Sequence, residues 1–479
     1  PLSPMLFALA SYVTGLDIAT FSSRIVPFFE AATPLSIYFL ARYLYNERAA
    51  VIATLVLAMT PSFVFWSGIS DPQSFTLFLI PLLVLFWIWH SRQGLTMGSK
   101  NLLSASNMRL LAIGAILAVN FLMHLSYFLE VIILLMVTLA LVINREANKR
   151  LFLDFLKVVL ISQALTAFWW LPKNLYWWWI NGLVTSSGMY GAVRHLSEYG
   201  VVAAILGIAS FLYIAHGYVL RRRPQHLIII LWALPLFFET QNEGIIAMLT
   251  KINPDWYNTL EWSTLGKPLE GFRFYCFLAQ PLSIAAGVMV AELVDIADKY
   301  RRPMGFAVVI LLIFGLAWGL QEYRYAEKFQ TSGLTPHEYE AAQWYREHSA
   351  PSDRIIADYY RAQMFGAVNG GRALLGGMFP LRNVDYPYIK APGQVQNDLY
   401  TLYKTESAEE ASMLAKRYGA THIFYSDNMV RYGNLLSYLK PATRYGVDID
   451  RAKFNEAEFF EFVYREDSMY GEVVIVRVK

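Results

Sequence analysis

Ten apolar runs dominate this chain, and runs of that length leave few folds open to it. Residues 24–43, 50–68, 74–91, 109–123, 126–144, 152–171, 199–220, 226–239, 273–297 and 303–320 are each long enough, or nearly so, to cross a hydrocarbon core of about 30 Å. Such a crossing takes around 20 helical residues. The runs at 109–123 and 226–239 are the shortest and read as tilted, re-entrant or buried within a bundle. Only 16% of the residues are charged, against roughly 25% in soluble domains, so the expectation is a multi-pass α-helical membrane protein.

Charge orients the bundle, because Lys and Arg accumulate in short cytoplasmic loops. With the N-terminus outside, the inner loops carry Arg42 and Arg48; Arg92, Lys100 and Arg109; Arg145, Lys149 and Arg150; Arg221, Arg222 and Arg223; and Lys299, Arg301 and Arg302, fourteen in all. The outer connections hold Lys173, Arg194, Lys251 and Lys267 before Arg273 opens the next span. The C-terminal portion is therefore expected outside. The formal charge of +3 comes mostly from the inner loops and gives no reason to expect a nucleic-acid partner. The one cysteine, Cys276, lies within an apolar run and reads as a small core residue.

The expected domains are a membrane domain over 1–320, a linker over 321–335 and a small α/β domain over 336–479. In the last, Thr335, Pro336 and Glu338 have capping-box spacing, and Ser407 with Glu410 repeats it. "DRIIADYY", "GGRALLGG" and "THIFYSD" read as strands, and "FFEFVYREDSMYGEVVIVRV" reads as a hairpin turning near Gly471.

Several residues are candidates for chemistry. Asp71, in "FWSGISDPQSF", stands at the outer mouth of two runs; it faces a polar cavity or a cation, or else caps the helix that begins near Pro72. His124 lies at an outer turn, and Glu130 about two turns deeper needs a partner inside its span. Arg273 opens a span on the outer side with Glu270 one turn earlier. Its guanidinium fork suits a lipid phosphate; the other reading is a pair with Glu270. The aromatic block 167–182 reads as an interfacial belt.

Taken together, "PLSPMLFALASYVTGLD", "GISDPQ", "AFWWLP", "FRFYCFLAQPLSIAAG" and "DRIIADYYRAQMFGAVNGGRALLGG" resemble, in order, parts of the GT-C membrane glycosyltransferases. The likeness is to single-subunit oligosaccharyltransferases and dolichyl-phosphate-sugar transferases, divergent from both, and it covers nearly the whole chain. "GISDPQ" is similar to a G-x-x-D-N-E pattern, which puts Asp71 on an acidic position and Gln73 where the pattern has an acid. Arg273 falls on the position of an arginine associated with donor phosphate. "ADYYRA", with Asp358, stands where oligosaccharyltransferases carry W-W-D-Y-G and differs from it.

The resemblance implies transfer of a sugar or oligosaccharide from a polyprenyl-phosphate-type lipid carrier to a protein or glycolipid acceptor on the outer face. Asp71 and Gln73 would help hold a divalent cation, Mg or Mn. Arg273 and His124 would meet the donor phosphate, and Glu130, Glu270 and Asp358 would take supporting places. The first family span and the loop with the main acidic base are expected upstream of Pro1. The rival expectation is a non-catalytic subunit of the same fold that scaffolds a larger membrane-protein complex.

Overall fold

The computed structural model describes residues 9, 11–15, 18–67, 73–93, 104–123, 127–180, 201–240, 275–300, 302–326, 335–369, 373–374, 392–432, 448–469 and 471–479. The chain divides into two compact units, one made mostly of residues 21–325 and the other mostly of 326–479.

The first unit is helical: α1 (Ile18–Leu44), α2 (Glu47–Ala58), α3 (Pro61–Ser67), α4 (Gln73–Arg92), α5 (Ala105–Met123), α6 (Tyr127–Ile143), α7 (Arg150–Ile180), α8 (Val201–Arg221), α9 (Pro224–Thr240), α10 (Tyr275–Tyr300) and α11 (Arg302–Ala326). Among the described residues, five stretches are long and apolar enough to cross a membrane: Phe75–Arg92, Ala105–Met123, Arg150–Phe168, Val202–Arg221 and Tyr275–Lys299. Three shorter apolar helices, Tyr127–Ile143, Pro224–Thr240 and Gly305–Gly319, accompany them.

The run expected as one span over 50–68 is two helices. Pro61 has no N–H to donate, and its ring disfavours helical backbone at the residue before it, so α2 stops at Ala58 and α3 starts afresh at Pro61. Thr60 makes the joint sound, its hydroxyl donating to the Val56 carbonyl at 2.7 Å. At the other end of α2, the Asn46 side chain accepts from the Ala49 N–H at 2.8 Å, a regular N-cap.

The centre of the unit is α10, 78% buried over its apolar window where α8 is 28% buried. Its tightest neighbour is α2, and the reason is side-chain size. Ala49 and Ala53 on α2 meet Gly287 on α10, small residues that let two backbones approach. A Cβ on Gly287 would sit 2.8 Å from the Ala53 Cβ and closer still to the Ala49 carbonyl, a space only glycine leaves open.

One end of this bundle is a belt of ion pairs. Arg92 meets Glu146 at 2.8 Å, Lys157 meets Asp154 at 2.7 Å, Arg48 pairs with Asp295, and Arg223 and Tyr213 both donate to Glu292. His90, buried on the last turn of α4 and stacked on Trp87, lies 3.5 Å from Asp154. Among the described residues, four of the fourteen basic residues counted above, Arg48, Arg92, Arg221 and Arg223, thus have acidic partners from other elements.

The second unit is a five-stranded sheet in the order β2-β1-β3-β5-β4, with β1 (Ile355–Ile356), β2 (Ala373–Leu374), β3 (His422–Ser426), β4 (Phe460–Ser468) and β5 (Gly471–Val478). β1 runs parallel to β2 and β3, while β5 is antiparallel to both β3 and β4. Around it lie α12 (Pro336–His348), α13 (Tyr359–Asn369), α14 (Pro392–Lys404), α15 (Ala408–Arg417) and α16 (Asp427–Tyr432). β3 is buried along its whole length, as an inner strand paired on both sides should be. The hairpin turns at Gly471, whose φ of 100° favours glycine.

The capping box at α12 is present in full, with Thr335 accepting from the Glu338 N–H and Glu338 reaching back to the Thr335 N–H. At α15 only half of the expected box forms. Ser407 accepts from the Glu410 N–H, but the Glu410 carboxylate takes its hydrogen bond from the Thr405 hydroxyl instead. The stretch 355–374, expected as strand, turn and strand, is strand, helix and strand, because α13 crosses between β1 and β2. That crossover is what makes the pair parallel.

Lys453 is buried, and among the described residues no carboxylate pairs with it. Its ammonium donates to the Tyr403 carbonyl at 2.6 Å and the Thr405 carbonyl at 2.8 Å, closing the C-terminal end of α14. Burial pushes its pKa down to about 8.

Candidate functional site

At the end of the first unit opposite the ion-pair belt, side chains tie several helix ends together. Phe75 at the start of α4 packs on Phe29 of α1 with ring centroids 4.6 Å apart, and Met123 and Val119 near the end of α5 join the same cluster. Phe121 of α5 meets Tyr127 at the start of α6 at 4.7 Å, and the Tyr127 hydroxyl lies 2.9 Å from that of Ser162 on α7. Gln280 of α10 donates to the Leu77 carbonyl of α4 at 2.7 Å. These contacts gather the first turns of α4 and α6, the last turn of α5 and the first half of α10.

Four of the expected site residues, Asp71, His124, Glu270 and Arg273, lie outside the described residues. Gln73 is the first residue of α4, with its backbone alone described. In sequence, Asp71 comes two residues before α4, His124 directly follows α5, and Arg273 comes two residues before α10. Each therefore adjoins a helix end in the gathered group.

What the structure does place there is a set of buried polar side chains. Glu130, the fourth residue of α6, is fully buried. Asn120 of α5 is fully buried too, and neither its amide nitrogen nor its oxygen has a hydrogen-bond partner among the described residues; the same holds for the Gln280 Oε1 and the Ser62 Oγ. An amide left unpaired in a protein interior costs about 1–3 kcal/mol, so natural chains keep such groups where a polar species engages them. Asn120 and Gln280 were not among the sequence candidates. Their signal was there to read: an amide in the middle of an apolar run.

Asp358 is placed elsewhere and in a different role. It precedes α13 and accepts from the Arg361 N–H at 3.2 Å, as an N-cap does. Its other oxygen meets the Arg361 guanidinium at 3.1 Å. Arg361 Nε in turn donates to Glu338 at 2.8 Å, and Glu338 also accepts from Asn428 at 3.0 Å and from the Ser426 hydroxyl. Asp358, Arg361 and Glu338 are all fully buried. Burial opposes the charge on Arg361, and the two carboxylates outweigh it, raising the guanidinium above its ordinary pKa. The cluster is an internal clamp between α12, α13 and the end of β3. Among the described residues, one group of three side chains suited to a metal ion occurs, His337, Glu340 and Glu466, also in the second unit.

No known family profile matches the sequence, and neither does any curated protein. Solved structures do. The apo oligosaccharyltransferase of Archaeoglobus fulgidus superposes with a TM-score of 0.60 at 14% identity, covering 90% of this chain and 62% of that one. An oligosaccharyltransferase from the same archaeon, AglB, in complex with an inhibitory peptide and a dolichol-phosphate gives 0.56 at 13% identity, covering 90% and 61%. ArnT from Cupriavidus metallidurans bound to undecaprenyl phosphate gives 0.53 at 12% identity, covering 100% and 87%. This chain thus spans about three-fifths of the length of these archaeal oligosaccharyltransferases.

Proposed function

We propose that this chain, whose fold is the divergent GT-C fold of membrane glycosyltransferases, transfers a sugar or oligosaccharide from a polyprenyl-phosphate-type lipid to an acceptor at the outer face of a membrane. The observation that carries this reading is that two structures of this fold, from an archaeon and a bacterium, each hold an isoprenoid phosphate. The buried polar groups on α5, α6 and α10, beside which Asp71, His124 and Arg273 adjoin in sequence, support the same end of the bundle as the donor site.

The chemistry is displacement at the anomeric carbon with a lipid phosphate as leaving group. Arg273 meets that phosphate with a planar, permanently charged fork, and His124 supplies a second contact. The donor set of Asp71 and Gln73, a carboxylate and an amide oxygen, fits a hard divalent cation such as Mg or Mn, which when bound neutralises the phosphate as it departs. Glu130 and Glu270 flank the phosphate contacts. The ten-span arrangement follows, with the second unit outside as the domain over 336–479 and with 321–335 joining it to the membrane portion.

One observation favours a second reading, a non-catalytic scaffold of the same fold. Where oligosaccharyltransferases carry their acceptor motif, this chain has Asp358 locked in an internal ion pair, so that residue is not free to meet an acceptor. The discriminating experiment measures binding of a labelled polyprenyl-phosphate sugar to purified protein in detergent, for the parent and for Arg273→Ala and Arg273→Lys. Loss of a charge-assisted contact of about 1.5–3 kcal/mol weakens binding from about tenfold to over a hundredfold in the alanine variant, with partial recovery in the lysine variant. Unchanged donor affinity in a folded Arg273→Ala protein refutes the enzymatic reading.

A further inference from the structure

The second unit holds a side-chain group that the proposed transfer does not use. The capping box and Pro336 fix the start of α12, which puts His337 and Glu340 one turn apart on one face of the helix. Glu466 reaches them from β4, the edge strand of the sheet. The His337 Nδ1 lies 3.0 Å from Glu340 Oε2 and 3.3 Å from Glu466 Oε1, and the three atoms all fall within 4.8 Å of one another.

Those separations have a chemical meaning. A tetrahedral ion whose nitrogen and oxygen ligands stand at about 2.0–2.2 Å has ligand-to-ligand edges of about 3.3–3.6 Å. Both contacts of His337 are near that edge length, and the third separation is within 4.8 Å. A bare ion triplet explains the geometry less well. A single Nδ1 carries at most one proton, which the two carboxylates would have to share.

A second observation concerns how Glu466 is held. The Tyr464 hydroxyl donates to Glu466 Oε2, so that the other oxygen, Oε1, is turned toward the imidazole. Tyr464 is itself fixed, its ring 5.3 Å from that of Trp344, which stacks on His348 at 4.5 Å. Outer hydrogen bonds of this kind orient the carboxylates of metal sites. With Glu340 half exposed, at 54%, the remaining coordination positions open to water.

We propose that His337, Glu340 and Glu466 form a divalent-cation site whose imidazole and carboxylate donors suit zinc, and that the ion clips the first turn of α12 to the edge strand β4. Among the common divalent ions, a mixed nitrogen and oxygen set of three residues with open positions favours zinc over magnesium, which keeps to oxygen ligands. An ion at this point also covers part of the sheet's edge, where strands otherwise invite pairing with other chains.

The test uses the full chain in detergent, with Asp71→Asn as background so that zinc at the other expected site does not contribute. Protein stripped with EDTA and dialysed against zinc chloride is assayed for bound zinc by mass spectrometry and for affinity by calorimetry. The expected result is one zinc per chain, lost in His337→Ala and in Glu466→Gln while size-exclusion profile and circular dichroism stay those of the parent. Tyr464→Phe, which keeps all three ligands, is expected to weaken zinc by about ten- to a hundredfold. Zinc retained equally by His337→Ala and Glu466→Gln, or no zinc retained by the background protein, overturns the proposal.

Discussion

His422 gives the second unit a defined sensitivity to acid. It is the first residue of β3, 3% exposed, with its ring edge-on to Tyr345 at 5.1 Å and its Nδ1 2.8 Å from the Thr421 hydroxyl. Burial pushes its pKa down to about 4, with Asp353 pulling weakly upward and Arg477 downward. In the unfolded chain the same imidazole titrates near 6.5, so between those values the unfolded state binds the extra proton. Stability from this group is therefore complete above about pH 6.5 and is lost as the pH falls toward 4. At pH 5 the loss amounts to about 2 kcal/mol, and below pH 4 to roughly 3 kcal/mol, a large share of a domain's usual margin. The substitution His422→Phe keeps the ring's volume and removes the titration. Thr421 does not become an orphan, because its hydroxyl also donates to the Arg354 carbonyl at 3.1 Å and accepts from the Arg354 N–H at 2.9 Å. Hydrogen exchange of the β3 and β5 amides, corrected for intrinsic rates, measures the opening free energy of both proteins from pH 7.5 to 4.5. The parent is expected to lose about 2 kcal/mol more than the variant between pH 7 and pH 5. Parallel profiles for the two proteins refute the assignment of this acid sensitivity to His422.

Two further outcomes bear on the membrane unit. Gly287→Leu places a side chain where a Cβ already meets Ala53 at 2.8 Å, so it is expected to cost at least about 1–3 kcal/mol through overpacking and to lower the melting temperature in detergent; an unchanged melt refutes the close α2–α10 contact. For topology, single cysteines at Ser352 and Ser104 in a Cys276→Ser background are expected to label with an impermeant thiol reagent in intact cells at 352 and not at 104, and the reverse pattern overturns the orientation.

The parts of this molecule that were legible in the sequence are those whose cause is local. Apolar runs announce helices because a bilayer or a core rewards them residue by residue, and Thr335 with Glu338 announces a cap because both partners lie within one turn. The break before Pro61 is equally local, but hydropathy runs straight through it. Asp358 shows the opposite case. Its role depends on Arg361 and, through it, on Glu338, which sits 23 residues from Arg361 on another helix, and nothing in "ADYYRA" reveals that pairing. Asn120 and Gln280 were overlooked for a related reason: a single amide in an apolar run barely changes its average hydropathy, although burial makes it costly. The helix within 359–369 was hidden by aromatic residues that favour strands as readily as helices.

The small-residue contact between α2 and α10 also sets a timetable for biosynthesis. α2 has 12 residues, about 18 Å of helix, which is well short of the roughly 30 Å hydrocarbon core. The glycine that receives its alanine face arrives 238 residues after Ala49, counting from 49 to 287. At a synthesis rate of about 5–20 residues per second, α2 waits on the order of 10–50 s before its partner leaves the ribosome. Throughout that interval, a helix too short to span alone presents a notch of small side chains to lipid or to whatever machinery escorts it. The step that commits the bundle to its final packing is thus the late arrival of α10, and a chain truncated before Gly287 is expected to be cleared rather than to persist as a partial bundle.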